Sequence, residues 1–302
     1  MAEITDVELF QLSRKRTAAI KKPPWIRAKA PGSAGYFETL ELVKRYNLHT
    51  VCQEAMCPNI GECWGYKTAT FMIMGDLCTR RCNFCSVKKG SKDTLLPLDP
   101  LEPKRVAVAV KLLGLKHAVV TSVNRDDLPD NGASHIAETA NWITHLNPQT
   151  TVELLIPDLQ GSLKDLETIM SSSVSVLNHN LETVPSLYRK VRPYADYQRS
   201  LMILKFSKVF KPTTKTKSGI MVGLGETVKE VLQLMDDLRE NDVDVLTIGQ
   251  YLRPTCNQMP VKQWITPELF SFYKEEGLKR GFKHVESGPL VRSSYHAWKH
   301  AD

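Results

Sequence analysis

The stretch Phe71-Met72-Ile73-Met74, followed by Cys78-Thr79-Arg80-Arg81-Cys82-Asn83-Phe84-Cys85, decides how the rest of the chain is read. A short apolar run leads at once into three thiols within eight residues. Thiolates are costly to leave bare, so three together call for a soft metal or a cluster. A [4Fe–4S] cube held by three cysteines keeps one iron open to an exogenous ligand, unlike the usual four-cysteine site. An open position marks a working metal rather than a structural one, a rule best known from zinc. The competing explanation is a helical stripe at i, i+4 and i+7, where cysteine packs as a small hydrophobe. Arg80, Arg81 and Asn83 are poor company for such a stripe.

A second set lies just upstream. Cys52, Cys57 and Cys63 are spaced by five and six residues, which puts no three on one helical face. Shared ligation explains them. The main rival is a Cys3His zinc site that uses His49. It predicts a separate structural knuckle and leaves the second triad, 15 residues later, unexplained. Cys256, near Pro254, stands alone and is read as a non-ligand thiol.

With 302 residues the chain can form one large domain with extensions, or two. Seven cysteines, six of them in two tight clusters, fit a reducing compartment better than a disulfide framework. No apolar run is long enough to span a bilayer. The first 22 residues lack a signal-peptide core, and Glu3, Asp6 and Glu8 argue against a transit peptide, so a cytoplasmic protein is expected. The net charge of +7 is dispersed and not interleaved with aromatics. That speaks against nucleic acid and for a bias towards acidic protein partners.

Beyond the cysteines, β-rich runs at 69–74, 118–122, 152–156, 174–178, 217–222 and 245–250 alternate with helical patterns. A short helix is expected at 38–46. Pro103 opens a segment that buries Val106, Val110 and Leu113, and Gly114 can end it. Ile136, Ala140 and Ile143 mark another helix. Thr227 and Glu230 form a capping box, and Thr266-Pro267 opens a last helix before Gly281. Six such units imply a parallel sheet with right-handed crossovers. An open doubly wound sheet would show a Gly-rich fingerprint after its first strand. Cysteines stand there instead, so the expected fold is α/β, an incomplete (β/α)6 TIM-like barrel. Residues 1–66 form an N-terminal extension carrying the upstream triad, 67–283 the barrel and 284–302 a C-terminal tail.

Ligands gather at the carboxyl ends of parallel strands. Those ends carry Cys78, Cys82 and Cys85, then Asn124 to Asp127, then Asn180, Glu182 and, beyond them, Arg192. His117 and His179 are read as satisfied by hydrogen bonds rather than as ligands.

The C-x3-C-x2-C after the first strand resembles the signature of radical S-adenosylmethionine enzymes. Gly219-x-Met221-x-Gly223-x-x-Glu226 resembles their adenine-side segment. Adding the upstream C-x4-C-x5-C and the tail Arg292-Ser293-Ser294-Tyr295, nearly the whole chain resembles the lipoyl synthase family. Lys22-Pro23-Pro24-Trp25, Arg125-Asp126-Asp127-Leu128-Pro129-Asp130 and Gln250-Tyr251-Leu252-Arg253-Pro254 agree, with Asn131-Gly132 where the family has Gly-Gly.

The resemblance implies that Cys78, Cys82 and Cys85 hold a [4Fe–4S] cluster whose open iron binds S-adenosylmethionine, the source of a 5′-deoxyadenosyl radical. It further implies an auxiliary [4Fe–4S] cluster on Cys52, Cys57 and Cys63, with Ser294 as fourth ligand and Ser293 as the fallback. In the family that cluster is the sulfur source for C6 and C8 of an octanoyl chain on a carrier lysine. Implied partners are octanoylated lipoyl carrier domains (glycine cleavage H protein, 2-oxoacid dehydrogenase E2), a reducing carrier such as ferredoxin or flavodoxin, and iron–sulfur carrier proteins. Asn124, Asn180, Glu182, Arg192 and Lys217 are the expected contacts to S-adenosylmethionine or substrate. Other radical sulfur-inserting enzymes, of the biotin synthase or methylthiotransferase kind, leave the serine tail unaccounted for. A zinc-binding interaction module is the alternative from a different class.

Overall fold

The computed structural model describes residues 16–18, 21–91 and 93–300. Glu3, Asp6 and Glu8 lie outside them. In chain order the elements are β1 (Arg16–Ala18), α1 (Ala34–Arg45), β2 (His49–Thr50), α2 (Val51–Glu54), α3 (Ile60–Gly65) and β3 (Thr70–Ile73). Next come β4 (Leu77–Cys78), β5 (Lys88–Lys89), α4 (Glu102–Leu113), β6 (His117–Ser122), α5 (Ala133–Leu146), β7 (Thr151–Leu155), α6 (Leu163–Met170) and β8 (Val176–Asn178). The chain continues through α7 (Tyr188–Val191), α8 (Tyr197–Phe210), β9 (Lys215–Val222), α9 (Val228–Glu240), β10 (Val245–Gln250), β11 (Gln263–Ile265), α10 (Pro267–Lys279) and β12 (His284–Gly288).

The main sheet runs β12-β10-β9-β8-β7-β6-β3-β2, parallel throughout except for β2 against β3. Its two edges do not pair with each other among the described residues, so the barrel is incomplete. Strands covered on both faces should read as continuous apolar runs, and β3 and β10 are buried at every position. The sheet is two strands longer than the six expected: β2 adds antiparallel to β3 at one edge, and β12, within the segment expected as tail, pairs in parallel with β10 at the other. Among the described residues no helix is long and apolar enough to cross a membrane.

The helix signals act as their chemistry dictates. Gly114 ends α4 at φ 66, a left-handed turn that glycine adopts without steric penalty. The Thr227–Glu230 capping box opens α9 with both reciprocal hydrogen bonds present. The N-terminal extension wraps the barrel. Its β1 pairs antiparallel with β11, and the Trp25 indole N–H donates to the Ile265 carbonyl at 3.2 Å. A Cβ on Gly61 would sit 2.5 Å from the Lys29 carbonyl oxygen, so only glycine lets α3 cross the extension there.

Candidate active site

The cysteine loop after β3 is held rigid by a buried arginine. Arg80 donates through Nε and Nη2 to both carboxylate oxygens of Asp126, at 2.8 and 2.9 Å. Its Nη2 also lies 2.7 Å from Asp158 Oδ1. Asp126 follows β6 and Asp158 follows β7, so one guanidinium staples the loop to two strand ends. Its fixed fork suits such multidentate pairing. Thr79 Oγ1 donates to Asp126 as well, at 2.8 Å. On the far side of the loop, Asn83 Nδ2 donates to the Lys190 carbonyl and Gln258 Nε2 to the Cys85 carbonyl.

The second triad sits on two short helices. Cys52 belongs to α2, which Thr50 caps, and Cys63 belongs to α3, with Cys57 on the turn between. Burial pushes Cys52 up to about 11 and Cys63 up to about 12, and the neighbouring thiols of the triad add to both. Burial likewise drives Cys82 up to about 11 against the pull of Arg192, with Cys85 and Cys78 adding. Cys52, Cys57, Cys63, Cys82 and Cys85 are thus desolvated thiols that lack enough protein charge to ionise. A bound metal supplies that charge. Among the described residues no three Cys, His, Asp or Glu side chains converge as ligands of one ion. A cube asks for something looser, one thiolate on each of three irons. His49 faces Glu54 at 3.8 Å rather than joining the thiols. The donor sets fit clusters.

The tail closes over the second triad. Asn59 Nδ2 donates to the Leu290 carbonyl at 2.7 Å. A Cβ on Gly249 would lie 2.1 Å from the Val291 carbonyl oxygen, so β10 needs glycine where the tail crosses it. Tyr295 donates its hydroxyl to Glu62 Oε1 at 3.1 Å, and His296, stacked on Tyr295 at 4.0 Å, lies 3.6 Å from the same oxygen. Ser293 Oγ accepts from Asn180 Nδ2 at 3.3 Å. Ser294 Oγ has no hydrogen-bond partner among the described residues. Arg292 is half-buried within the electrostatic reach of Cys57 and Glu182, and desolvation lowers its pKa.

The whole upstream triad, Cys52, Cys57 and Cys63, and Cys85 of the other share one cavity of ≈ 410 Å³, lined also by Asn180, Glu182, Ser293 and Ser294. Glu182 stands in the left-handed region at φ 66, a conformation that non-glycine residues hold only when surroundings enforce it. Its N–H donates to the Gly219 carbonyl at 3.0 Å. Burial raises its carboxyl pKa even though Arg192 opposes this.

The other expected contacts fall elsewhere. Lys217 does not line the cavity. Its ammonium is buried 3.0 Å from each carboxylate oxygen of Glu153, a charge the strand interior could not otherwise hold. Arg192 donates to the Asn180 carbonyl at 2.7 Å and to the Tyr188 hydroxyl at 3.0 Å, and meets the site through its charge near Cys82. Asn124 offers its backbone N–H to Cys78 Sγ at 3.4 Å. Sequence reasoning missed the roles of Arg80 and Glu62 and the place of the Arg292 charge beside Cys57. Of these, only Arg80, lodged between two cysteines, carried a signal.

A model of the radical SAM superfamily matches residues 72–238. The lipoyl synthase of Koribacter versatilis is 52% identical over 98% of this chain and 96% of its own length. That of Caldanaerobacter subterraneus subsp. tengcongensis is 54% identical over 92% of this chain and 96% of its own. Among solved structures, methylornithine synthase superposes with a TM-score of 0.56 at 14% identity, covering 98% of this chain and 86% of the other. Streptococcus suis SuiB bound to S-adenosylmethionine gives 0.54 at 12% identity, covering 84% and 56%. These two likenesses speak to the fold alone.

Proposed function

This chain belongs to the lipoyl synthase family of the radical SAM superfamily and is a sulfur-inserting enzyme, and from that premise we propose that its two triads hold two [4Fe–4S] clusters around one cavity that receives an octanoyl-lysine side chain. The observation that carries this is the joint lining of that cavity by Cys52, Cys57, Cys63, Cys85 and the tail serines. An alkyl C–H offers no acidic proton and no leaving group. Cys78, Cys82 and Cys85 would hold a [4Fe–4S] cluster that, together with S-adenosylmethionine, would supply the radical chemistry such a bond requires.

The chain's own residues prepare the site. Arg80 fixes the loop, so the three thiols present one geometry. Arg192 and Arg292 place positive charge beside Cys82 and Cys57. With Ser293 engaged by Asn180, the free hydroxyl of Ser294 is the fourth donor to the auxiliary cluster, a hard oxygen on iron that prefers sulfur. That cluster is the sulfur substrate, spent on C6 and C8. The extension and the tail exclude water from the cavity, which protects a reactive intermediate. The acyl group arrives on a carrier domain of the glycine cleavage H protein or 2-oxoacid dehydrogenase E2 kind, electrons come from a ferredoxin or flavodoxin, and iron–sulfur carriers rebuild the cluster. Seven unbridged cysteines support a reducing cytoplasm.

Anaerobic purification and reconstitution should give a brown protein with about eight irons per chain, two cubes. Turnover of an octanoyl-lysine peptide with S-adenosylmethionine and a reductant should then add two sulfurs by mass. A colourless zinc protein, or a peptide of unchanged mass, refutes the proposal.

A further inference from the structure

Deep in the barrel the cavity ends on a layer of buried charge that the site has not used. Towards the amino ends of the strands its walls include Leu115, His117, Val119 and Thr70, whereas Leu155 lies level with Thr121 nearer the mouth. The His117 ring is held at both nitrogens, with Nδ1 2.8 Å from Thr151 Oγ1 and Nε2 3.4 Å from Glu153 Oε2. Glu153 in turn receives Lys217 at 3.0 Å on each oxygen and Asn178 Nδ2 at 2.8 Å. The side chains of Glu153 and Lys217 are wholly buried. Burial alone would raise the Glu153 carboxyl, but Lys217 and His117 hold it down at about 2. Among the described residues His117 is the one member of this layer that borders the cavity.

We infer that the Glu153–Lys217–His117 layer is the floor of the acyl channel, with His117 as the residue that sets the accepted chain length. The inference rests on the proposed octanoyl-lysine substrate. His117, Val119 and Thr121 share one face of β6 because side chains alternate. Four residues at about 3.3 Å each put His117 roughly 13 Å below Thr121. An extended eight-carbon chain spans roughly 9 Å, from C–C bonds near 1.5 Å, and the contact distance of about 4 Å between carbon atoms takes up the rest, so its methyl end comes to rest against this layer. A longer chain would have to displace His117 and strip a partner from a buried carboxylate, which is strongly unfavourable. A shorter one would leave apolar walls without contacts. A fully buried ion pair is weak support for stability by itself; as a floor that an apolar tip cannot enter, it discriminates.

Two variants push the floor in opposite directions. His117→Ala opens the end while leaving Glu153 paired to Lys217 and Asn178; His117→Trp fills it. Binding of six-, eight- and ten-carbon acyl-lysine peptides to the reconstituted holoenzyme is measured by titration calorimetry, with sulfur gain in parallel. A buried methylene is worth about fourfold in binding. H117A should therefore raise the ten-to-eight affinity ratio about fifteenfold, and H117W should shift preference to six carbons. A purely structural role would weaken all three peptides alike and leave the ratios unmoved. Each variant decides alone if the other does not fold: ratios within twofold of wild type overturn the floor. If the wild type binds no acyl-lysine peptide of any length, the proposed substrate itself falls.

Discussion

Arg80 is the side chain whose loss should separate the radical-generating loop from the rest of the site. Its side chain is 6% exposed, and that of Asp158 is fully buried. In Arg80→Ala, Asp126 loses its bidentate partner, and Asp158 keeps Arg199 at 3.3 Å and the Gln160 N–H at 3.2 Å. Removing one member of a buried pair costs about 3 to 5 kcal/mol. The remaining Arg199 contact and the partial exposure of Asp126 argue for the low end, about 3 kcal/mol. For a chain of this size that is a fall in Tm of roughly 6–12 °C, read by calorimetry on the metal-free protein. Arg80→Lys keeps the charge but cannot span two carboxylates, and should lose about half as much. After reconstitution Arg80→Ala should retain about four irons rather than about eight, since the upstream triad does not depend on this loop. A Tm within 2 °C of wild type together with full iron loading would refute the stapling argument.

Gly249→Ala should lift the tail, because the new Cβ would meet the Val291 carbonyl at 2.1 Å. The chain beyond Pro289 should become sensitive to limited proteolysis and turnover should fall more than tenfold, whereas continued protection would show that the close approach is unimportant. Ser294→Cys should hold the auxiliary cluster yet slow sulfur insertion, and unchanged turnover would sink that role. Burial, aided by the Arg192 charge, holds His179 at about 4 against an ordinary 6.5. The folded pKa is the lower one, so this contribution is complete above pH 6.5 and is lost as pH falls towards 4, about 3 kcal/mol in all. Urea unfolding of the metal-free chain should show that slope, and His179→Asn should flatten it.

The cysteines were legible because thiol chemistry leaves few alternatives, and the strands because both-face burial writes them as apolar runs. The six expected runs fall on β3, β6, β7, β8, β9 and β10, the last at 245–250 as drawn. His284–Gly288 was read as tail because it carries only one buried position. Besides the short α2, α3 and α7, two longer helices gave no cue taken up from sequence: α6, which Ser162 caps, and α8, whose apolar residues are interrupted by buried Ser200 and Ser207. Around the site, Lys217 and Arg192 carried the expected charge, but Lys217 lies near the amino end of β9 and Arg192 just after α7. Which carboxylate or carbonyl they would meet depends on the cross-strand register, as in the pairing of Asn178 with Lys217, and that is not written locally. The same holds for Arg80, whose two carboxylates lie 46 and 78 residues away along the chain.

The bond from Asn59 to the Leu290 carbonyl joins points 231 residues apart. Synthesis at about 5–20 residues per second separates their appearance by roughly 10 to 45 seconds. Over that interval Cys52, Cys57 and Cys63 exist without the segment that covers them, while the strands that shape the Cys78 loop emerge and can pair. On the proposed assignment the upstream triad gains its Ser294 donor only after the barrel strands have been made, so the Cys78 triad can be filled on a nascent barrel before the upstream site is complete.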